Sequence, residues 1–175
     1  GTSVSGDLTP ANETDLYRFT ATAGDKFFFA VQARSGAGNA LWRLIDPFGN
    51  GVFEQGFFDV DTLTASQSGS YTLLIEGRIS DTTAGTYTFK VQPVVNSTVA
   101  LSLGTTVSGS IGVPGEQDNY SFTVGSNSRL YFDSLTNNGT FSWTLSGPTG
   151  AVVITRSFIA SDSFDNANPV LNLVA

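Results

Sequence analysis

Apolar and polar residues alternate along most of this chain with a period of two, and no segment carries a helical period. Over residues 15–19, Asp15, Tyr17 and Phe19 fall on one face, and Leu16 and Arg18 on the other. The same alternation predicts strands over 26–33 (KFFFAVQA), 40–46 (ALWRLID), 60–65 (VDTLTA), 70–77 (SYTLLIEG) and 86–93 (TYTFKVQP). With residues 3–8, this makes seven short strands separated by turn signals, the pattern of an antiparallel β-sandwich. The densest turn signal is DPFGNG at 46–51, where proline presets φ and glycine permits φ > 0. GSYTL at 69–73 and GTYTF at 85–89 resemble each other. Each tyrosine is expected to point its ring inward and to bond its hydroxyl near the sheet corner, because a buried hydroxyl needs a partner.

The alternation is written twice. GTSVSG at 1–6 returns as GTTVSG at 104–109, and the spacing of 103 holds through ETDLYRFT at 13–20 and EQDNYSFT at 116–123. Ten of the first twenty positions are identical between the copies, where ordinary residue usage gives roughly one or two. A period of this length is that of a domain, so the expected organisation is two tandem sandwich modules, 1–97 and 98–175. RLYF at 129–132 matches KFFF at 26–29, and FSWTLSGPTG at 141–150 matches ALWRLIDPFG at 40–49. VLNLVA at 170–175 matches VDTLTA at 60–65, after a longer loop containing Asp162 and Asp165. VNSTVALSL at 95–103 is expected to be a short, partly packed connector.

No counterpart of 66–93 follows in the second copy, so two strands of the pattern are missing from it. Three readings are open: a boundary of the fragment, an edge covered by the first module, or strand complementation by another chain. The chain opens on a module boundary without a secretory leader and contains no Met, and it is read as a piece of a longer protein.

Composition narrows the chemistry. Fourteen Phe, five Tyr and two Trp supply bulky core material. The absence of Cys excludes disulfides, thiolate metal sites and a cysteine nucleophile, and the absence of His removes the commonest general base. The net charge of −7, with only two lysines, argues against nucleic acid and anionic membranes as partners. No stretch approaches the ~20 apolar residues of a membrane helix. The four N-x-[ST] triplets, at Asn12, Asn96, Asn119 and Asn138, are of a number that chance gives in a chain rich in Ser, Thr and Asn.

The ordered set G-x-x-V-x-G, E-x-D-x-Y-x-F, an aromatic strand, Trp-x-Leu followed by Pro-x-Gly, and G-[ST]-Y-T resembles the bacterial pre-peptidase C-terminal domain family. The first copy matches throughout and the second to its last shared strand. The resemblance implies jelly-roll-like sandwiches appended to secreted proteases and other extracellular proteins. It also implies non-catalytic roles in secretion, surface retention, or binding of insoluble polymer or carbohydrate. Related collagen-binding sandwiches bind calcium through clustered N-terminal acidic ligands that have no obvious counterpart here.

Two kinds of site suggest themselves. The pairs Glu13/Asp15 and Glu116/Asp118 place two carboxylates at i and i+2, a spacing that can chelate a hard cation such as calcium. The alternative is that Asp15 and Asp118 accept hydrogen bonds from loop amides at a strand start. Asp59/Asp61 and Asp162/Asp165 occupy equivalent loops and admit the same two readings. Phe48, Phe53, Phe57 and Phe58 crowd a stretch with no long alternation; they form either an exposed patch for a sugar ring or another subunit, or a cover over one end of the sheets. Trp42 and Trp143 alternate with Leu44 and Leu145 and are expected to face inward. No cofactor is required by any of these patterns. The expected function is a non-catalytic extracellular or cell-surface module that binds or targets polysaccharide, matrix protein or another copy of itself. The alternative is a structural subunit of a surface filament or adhesin, assembled by β-strand complementation through an open sheet edge.

Overall fold

The computed structural model describes residues 1–161 and 166–175. The protein is all-β, built of two sandwich-like sets of antiparallel sheet. The strands are β1 (Ser3–Leu8), β2 (Thr14–Ala21), β3 (Lys26–Ser35), β4 (Leu41–Ile45), β5 (Gly51–Gly56), β6 (Val60–Thr64), β7 (Gly69–Glu76), β8 (Gly85–Val94), β9 (Ser97–Ala100), β10 (Asp118–Ser121), β11 (Ser128–Tyr131), β12 (Ser142–Gly147), β13 (Gly150–Ser157) and β14 (Val170–Leu173). A single turn of 3₁₀ helix covers Phe158–Ala160. Among the described residues no helix is long and apolar enough to cross a membrane.

The first eight strands form two four-stranded sheets, ordered β1-β8-β3-β6 and β2-β7-β4-β5. Every pairing within them is antiparallel. Consecutive strands thus alternate between sheets except at the β4–β5 hairpin, which is the order of an eight-stranded jelly roll. The period-two pattern explains how the sheets face each other. Tyr71, Leu73 and Ile75 of β7, Trp42 and Leu44 of β4, Tyr87 and Phe89 of β8, and Phe29 of β3 are all buried. Leu16 lies on the opposite side of β2 from Tyr17 and Phe19 and is exposed for that reason.

Aromatic rings fill the space between the sheets. Trp42 is fully buried and meets Phe57, Phe53 and Phe29 edge-on at centroid distances of 4.9, 5.8 and 6.1 Å. Edge-to-face packing of this kind is favoured by the ring quadrupoles. The hairpin between β4 and β5 is held by Asp46, whose carboxylate accepts from the Phe48 amide (2.9 Å), the Asn50 amide (2.8 Å) and Asn50 Nδ2 (3.0 Å). The Asn50 side chain above all holds this carboxyl below the usual range.

The chain divides into two compact units, Gly1–Ser121 and Phe122–Ala175, later than the 97/98 division drawn from the repeat. The reason lies in the pairing of β10. Its counterpart in the first copy, β2, pairs antiparallel with β7, whereas β10 pairs parallel with β9, a strand formed by the connector itself. The connector and the opening of the second copy therefore belong to the first unit.

The second unit repeats two pairings of the first: β11–β14 answers β3–β6, and β12–β13 answers β4–β5. Phe132 stacks on Trp143 at 4.2 Å, where Phe29 meets Trp42 edge-on at 6.1 Å. Trp143 and Leu145 point the same way, as the alternation predicts, but both are only half-buried. Among the described residues of this unit, only Val153 and Ser161 are buried.

Candidate functional site

The repeated carboxylates form two similar turns. Glu13 Oε1 accepts from the amide of Thr9 at 2.8 Å, and Glu116 Oε2 accepts from the amide of Gly112, the equivalent residue 103 positions on, at 2.6 Å. In both turns the glutamate's own amide bonds back three residues, Glu13 to Pro10 and Glu116 to Val113. The aspartates do something else. Asp15 ends the inward row of β2, so its carboxylate lies at the rim of the core, where it accepts a short hydrogen bond from Tyr87 Oη. Tyr87 and Tyr17 hydroxyls lie 2.7 Å apart. Asp118 accepts from Ser97 Oγ. Glutamate, not aspartate, thus binds the loop amides, while aspartate takes hydroxyl donors.

This arrangement accounts for the repeated glycine of G-T-x-V-S-G. A Cβ on Gly6 would press on Tyr87 Oη and lie 2.7 Å from Tyr17 Oη; one on Gly109 would lie 2.8 Å from Tyr120 Oη and 3.0 Å from Asp118 Oδ2. Gly6, Asp15 and Tyr17 correspond one for one to Gly109, Asp118 and Tyr120 at the spacing of 103. The two sequence signatures are the two sides of a single contact.

Among the described residues no group of three or more carboxylates is placed to hold a metal ion. Asp59 Oδ1 accepts from the Val31 amide at 2.7 Å and Asp61 Oδ1 from the Thr62 amide at 2.7 Å. Asp162 and Asp165 lie outside the described residues. With Glu13, Asp15, Glu116, Asp118, Asp59 and Asp61 each already accepting from a protein donor, the protein is expected to melt at the same temperature in millimolar calcium as in chelator; a calcium-dependent rise would assign a cation to one of these pairs.

The structure separates the four phenylalanines. Phe57 is buried and Phe53, inside β5, packs its ring 5.2 Å from Phe29; both belong to the core. β5 itself lies in the stretch that shows no long alternation in the sequence. Phe48 and Phe58 are exposed, at 73% and 59%, but they flank opposite ends of β5, which spans roughly 20 Å. They do not share a patch.

Phe58 has a different set of neighbours. The β3–β4, β5–β6 and β7–β8 loops converge at its end of the sandwich. They are tied by Ala37 N to Thr83 O (3.1 Å), Phe57 N to Ala40 O (3.1 Å) and Asn39 Nδ2 to Asp81 Oδ1 (2.8 Å). Between them lies a concavity of about 260 Å³ lined by Arg34, Asn39, Phe58, Arg78 and Ser80 among others. The Arg34 guanidinium lies 4.5 Å from the Phe58 ring centre, a cation–π contact, and its Nη1 reaches Phe57 O at 3.4 Å. The Arg78 side chain is exposed and has no hydrogen-bond or ion-pair partner among the described residues. No carboxylate lines this concavity.

A larger, shallow concavity of about 450 Å³ lies across β1, β8 and β3, lined by Ser5, Asp7, Ser35, Thr86 and Thr88, with Arg34 on its wall. Arg34 therefore borders both hollows. Sequence reasoning singled out Phe58 but neither Arg34, Arg78 nor Asn39. The signal available was scarcity: residues 1–97 hold six basic side chains, of which Arg34 lies near the end of β3 and Arg78 just past β7.

No family model matches the chain, and no curated protein matches it. Solved structures match the chain, among them two PliG proteins that are similar to part of it. One is Aeromonas hydrophila PliG, a periplasmic lysozyme inhibitor of g-type lysozyme, at 16% identity and a TM-score of 0.41, over 52% of this chain and 85% of that one. The other is Salmonella Typhimurium PliG, at 19% identity and a TM-score of 0.41, over 53% of this chain and 86% of that one. Likeness of this order shows nothing about what this chain binds.

Proposed function

We propose that this chain is a non-catalytic extracellular binding module, of the pre-peptidase C-terminal kind, that attaches a larger protein to a glycan or other polymer surface. The observation that carries this reading is the concavity at one end of the first sandwich, where an exposed aromatic ring, two guanidinium groups, an amide and a hydroxyl converge on loops tied to a rigid scaffold. Polar groups of this kind beside an apolar ring face are what recognition of a sugar requires. The jelly-roll strand order supports the family reading.

The test is a screen of immobilised glycans and matrix proteins with the native chain and Phe58→Ala. Because Phe58 is largely exposed, the substitution is expected to change stability by no more than about 0.5 kcal/mol while abolishing retention on the glycans that the native chain binds. Retention of Phe58→Ala at native level would overturn the assignment.

A second reading has its own observation. Both sheets of the second unit are two-stranded, so each of their strands is an edge. Self-assembly through these edges would make the chain a subunit of a surface filament. Sedimentation velocity across a hundredfold range of concentration tests it; a single monomeric species throughout would sink it.

A further inference from the structure

We infer that the ligand of the Phe58 concavity is an acidic sugar, a hexuronate ring followed by a neutral one, and not a neutral glycan. The inference rests on the binding reading above and names its ligand class. The chain carries a net charge of −7 and only eight basic side chains, yet two of them, Arg34 and Arg78, line one small hollow from which carboxylates are absent. Two acids, Asp59 and Asp81, stand nearby without lining the hollow, and the buried Oδ2 of Asp81 has no hydrogen-bond partner among the described residues. Asp81 Oδ1 is taken by the amide and the Nδ2 of Asn39, at 3.3 and 2.8 Å, and Asp59 Oδ1 by the amide of Val31. Neither forms an ion pair with Arg34 or Arg78.

An exposed guanidinium with no carboxylate partner, in a strongly acidic protein, is an unfilled fork of donors whose geometry suits a carboxylate. Arg34 lies over Phe58, so the ring and one cation are held together as a platform. Arg78 and Ser80 stand on the β7–β8 loop, and Asn39 is oriented by Asp81. A volume of about 260 Å³ lies below the range that holds drug-sized ligands and suits one sugar ring. The second ring is placed by Arg34, which also borders the hydroxyl-lined hollow of Ser5, Ser35, Thr86 and Thr88. That hollow contains Asp7, whose charge disfavours a second carboxylate there. The pair of hollows therefore matches a polymer in which charged and neutral rings alternate.

Hyaluronan tetrasaccharide, in which glucuronate alternates with N-acetylglucosamine, and its carboxyl-reduced neutral form are the probes, titrated into the whole chain and followed by amide chemical shifts. The expected result is saturable binding of the acidic form with shifts around Phe58 and Arg78. Binding should weaken about tenfold or more for the reduced form and for Arg78→Gln, the loss expected when a charged hydrogen bond is removed. Arg18→Gln, on the outer face of β2, should bind as the native chain does. Arg78→Gln should melt with the native chain, since its exposed side chain makes no hydrogen bond or ion pair among the described residues, so lost binding is not lost folding. Equal binding of the acidic and reduced forms overturns the acidic class but leaves glycan binding standing. Binding of the acidic form that is unaltered in both Arg78→Gln and Phe58→Ala overturns the site. No shift with either oligosaccharide overturns this inference, while retention of another polymer in the screen would still uphold the broader reading.

Discussion

Truncation of Trp42 to alanine is expected to cost about 3–5 kcal/mol, the range for deleting a large aromatic from a closed core. The indole sits between the sheets with no exposed surface and touches Phe29, Phe53, Phe57 and Phe89 edge-on. These neighbours hang from both sheets and from the β5–β6 loop, so they cannot all collapse into the void. Trp42→Phe is expected to cost far less, because the Trp42 Nε1–H is buried without an acceptor among the described residues. Removing that group relieves a desolvation penalty of about 1–3 kcal/mol, which offsets part of the lost packing. The equivalent Trp143→Ala should move stability by much less. Trp143 is half-buried, with Phe132 stacked on its ring and the Arg156 guanidinium 5.3 Å from the ring centre, so less packing is lost with it, although its Nε1–H donor to Ser161 Oγ at 2.8 Å goes too. Chemical denaturation of the three variants checks the ranking; equal losses at the two tryptophans would mean that the second unit is as tightly closed as the first.

The second large effect is expected at Tyr87. Tyr87→Phe removes the donor to Asp15 and leaves the carboxylate at the rim of the core without it, a loss of about 1.5–3 kcal/mol for a hydrogen bond to a charged group. Gly6→Ala should destabilise by a comparable ~1–3 kcal/mol through overpacking, because its Cβ would press on the same pair of hydroxyls. The same cluster gives a pH dependence. Burial first, then the hydrogen bonds to Asp15 and Tyr17, push the Tyr87 phenol well above the usual tyrosine range. A group whose folded pKa is raised contributes stability that is complete below its unfolded pKa, roughly 10 for tyrosine, and is lost as pH rises above it. The melting temperature should therefore fall on the alkaline side of pH 10, and more steeply in the native chain than in Tyr87→Phe. Parallel alkaline limbs for the two proteins would show that this phenol is not the group responsible.

Much of the first sandwich was legible because its strands face water on one side and core on the other, so alternation marks each of them. β5 was not. GVFEQG places one aromatic, Phe53, on the inward face and has glycine at both ends, too little contrast to read as a strand. The same weakness obscured the phenylalanines: with β5 unseen, Phe53 and Phe57 had no sheet to face, and Phe48 and Phe58 had no strand to separate them. The tyrosines of GSYTL and GTYTF behave as their sequence suggests. Tyr71 Oη donates to Gln67 O at 2.9 Å, and Tyr87 finds Asp15. The parallel pairing of β9 with β10 had no sequence mark, since it depends on which strand lies near, not on the residues within either. Arg34, Asn39 and Arg78 were likewise hidden, because the end of β3 and the β3–β4 and β7–β8 loops meet only once the jelly roll is wound.

The pairing of the first and last strands of the sandwich bears on how the module would behave under load. β1 and β8 are antiparallel neighbours, with Ser3 opposite Lys90 and Leu8 opposite Gly85. The chain therefore enters and leaves the sandwich at the same end. Their ladder hydrogen bonds run perpendicular to the strands, so tension applied at the entry and exit points draws the two strands apart rung by rung instead of shearing all rungs together. A tether built this way yields at low force by unzipping, beginning at the pair Ser3 and Lys90, and lengthens before the aromatic core behind it is disturbed.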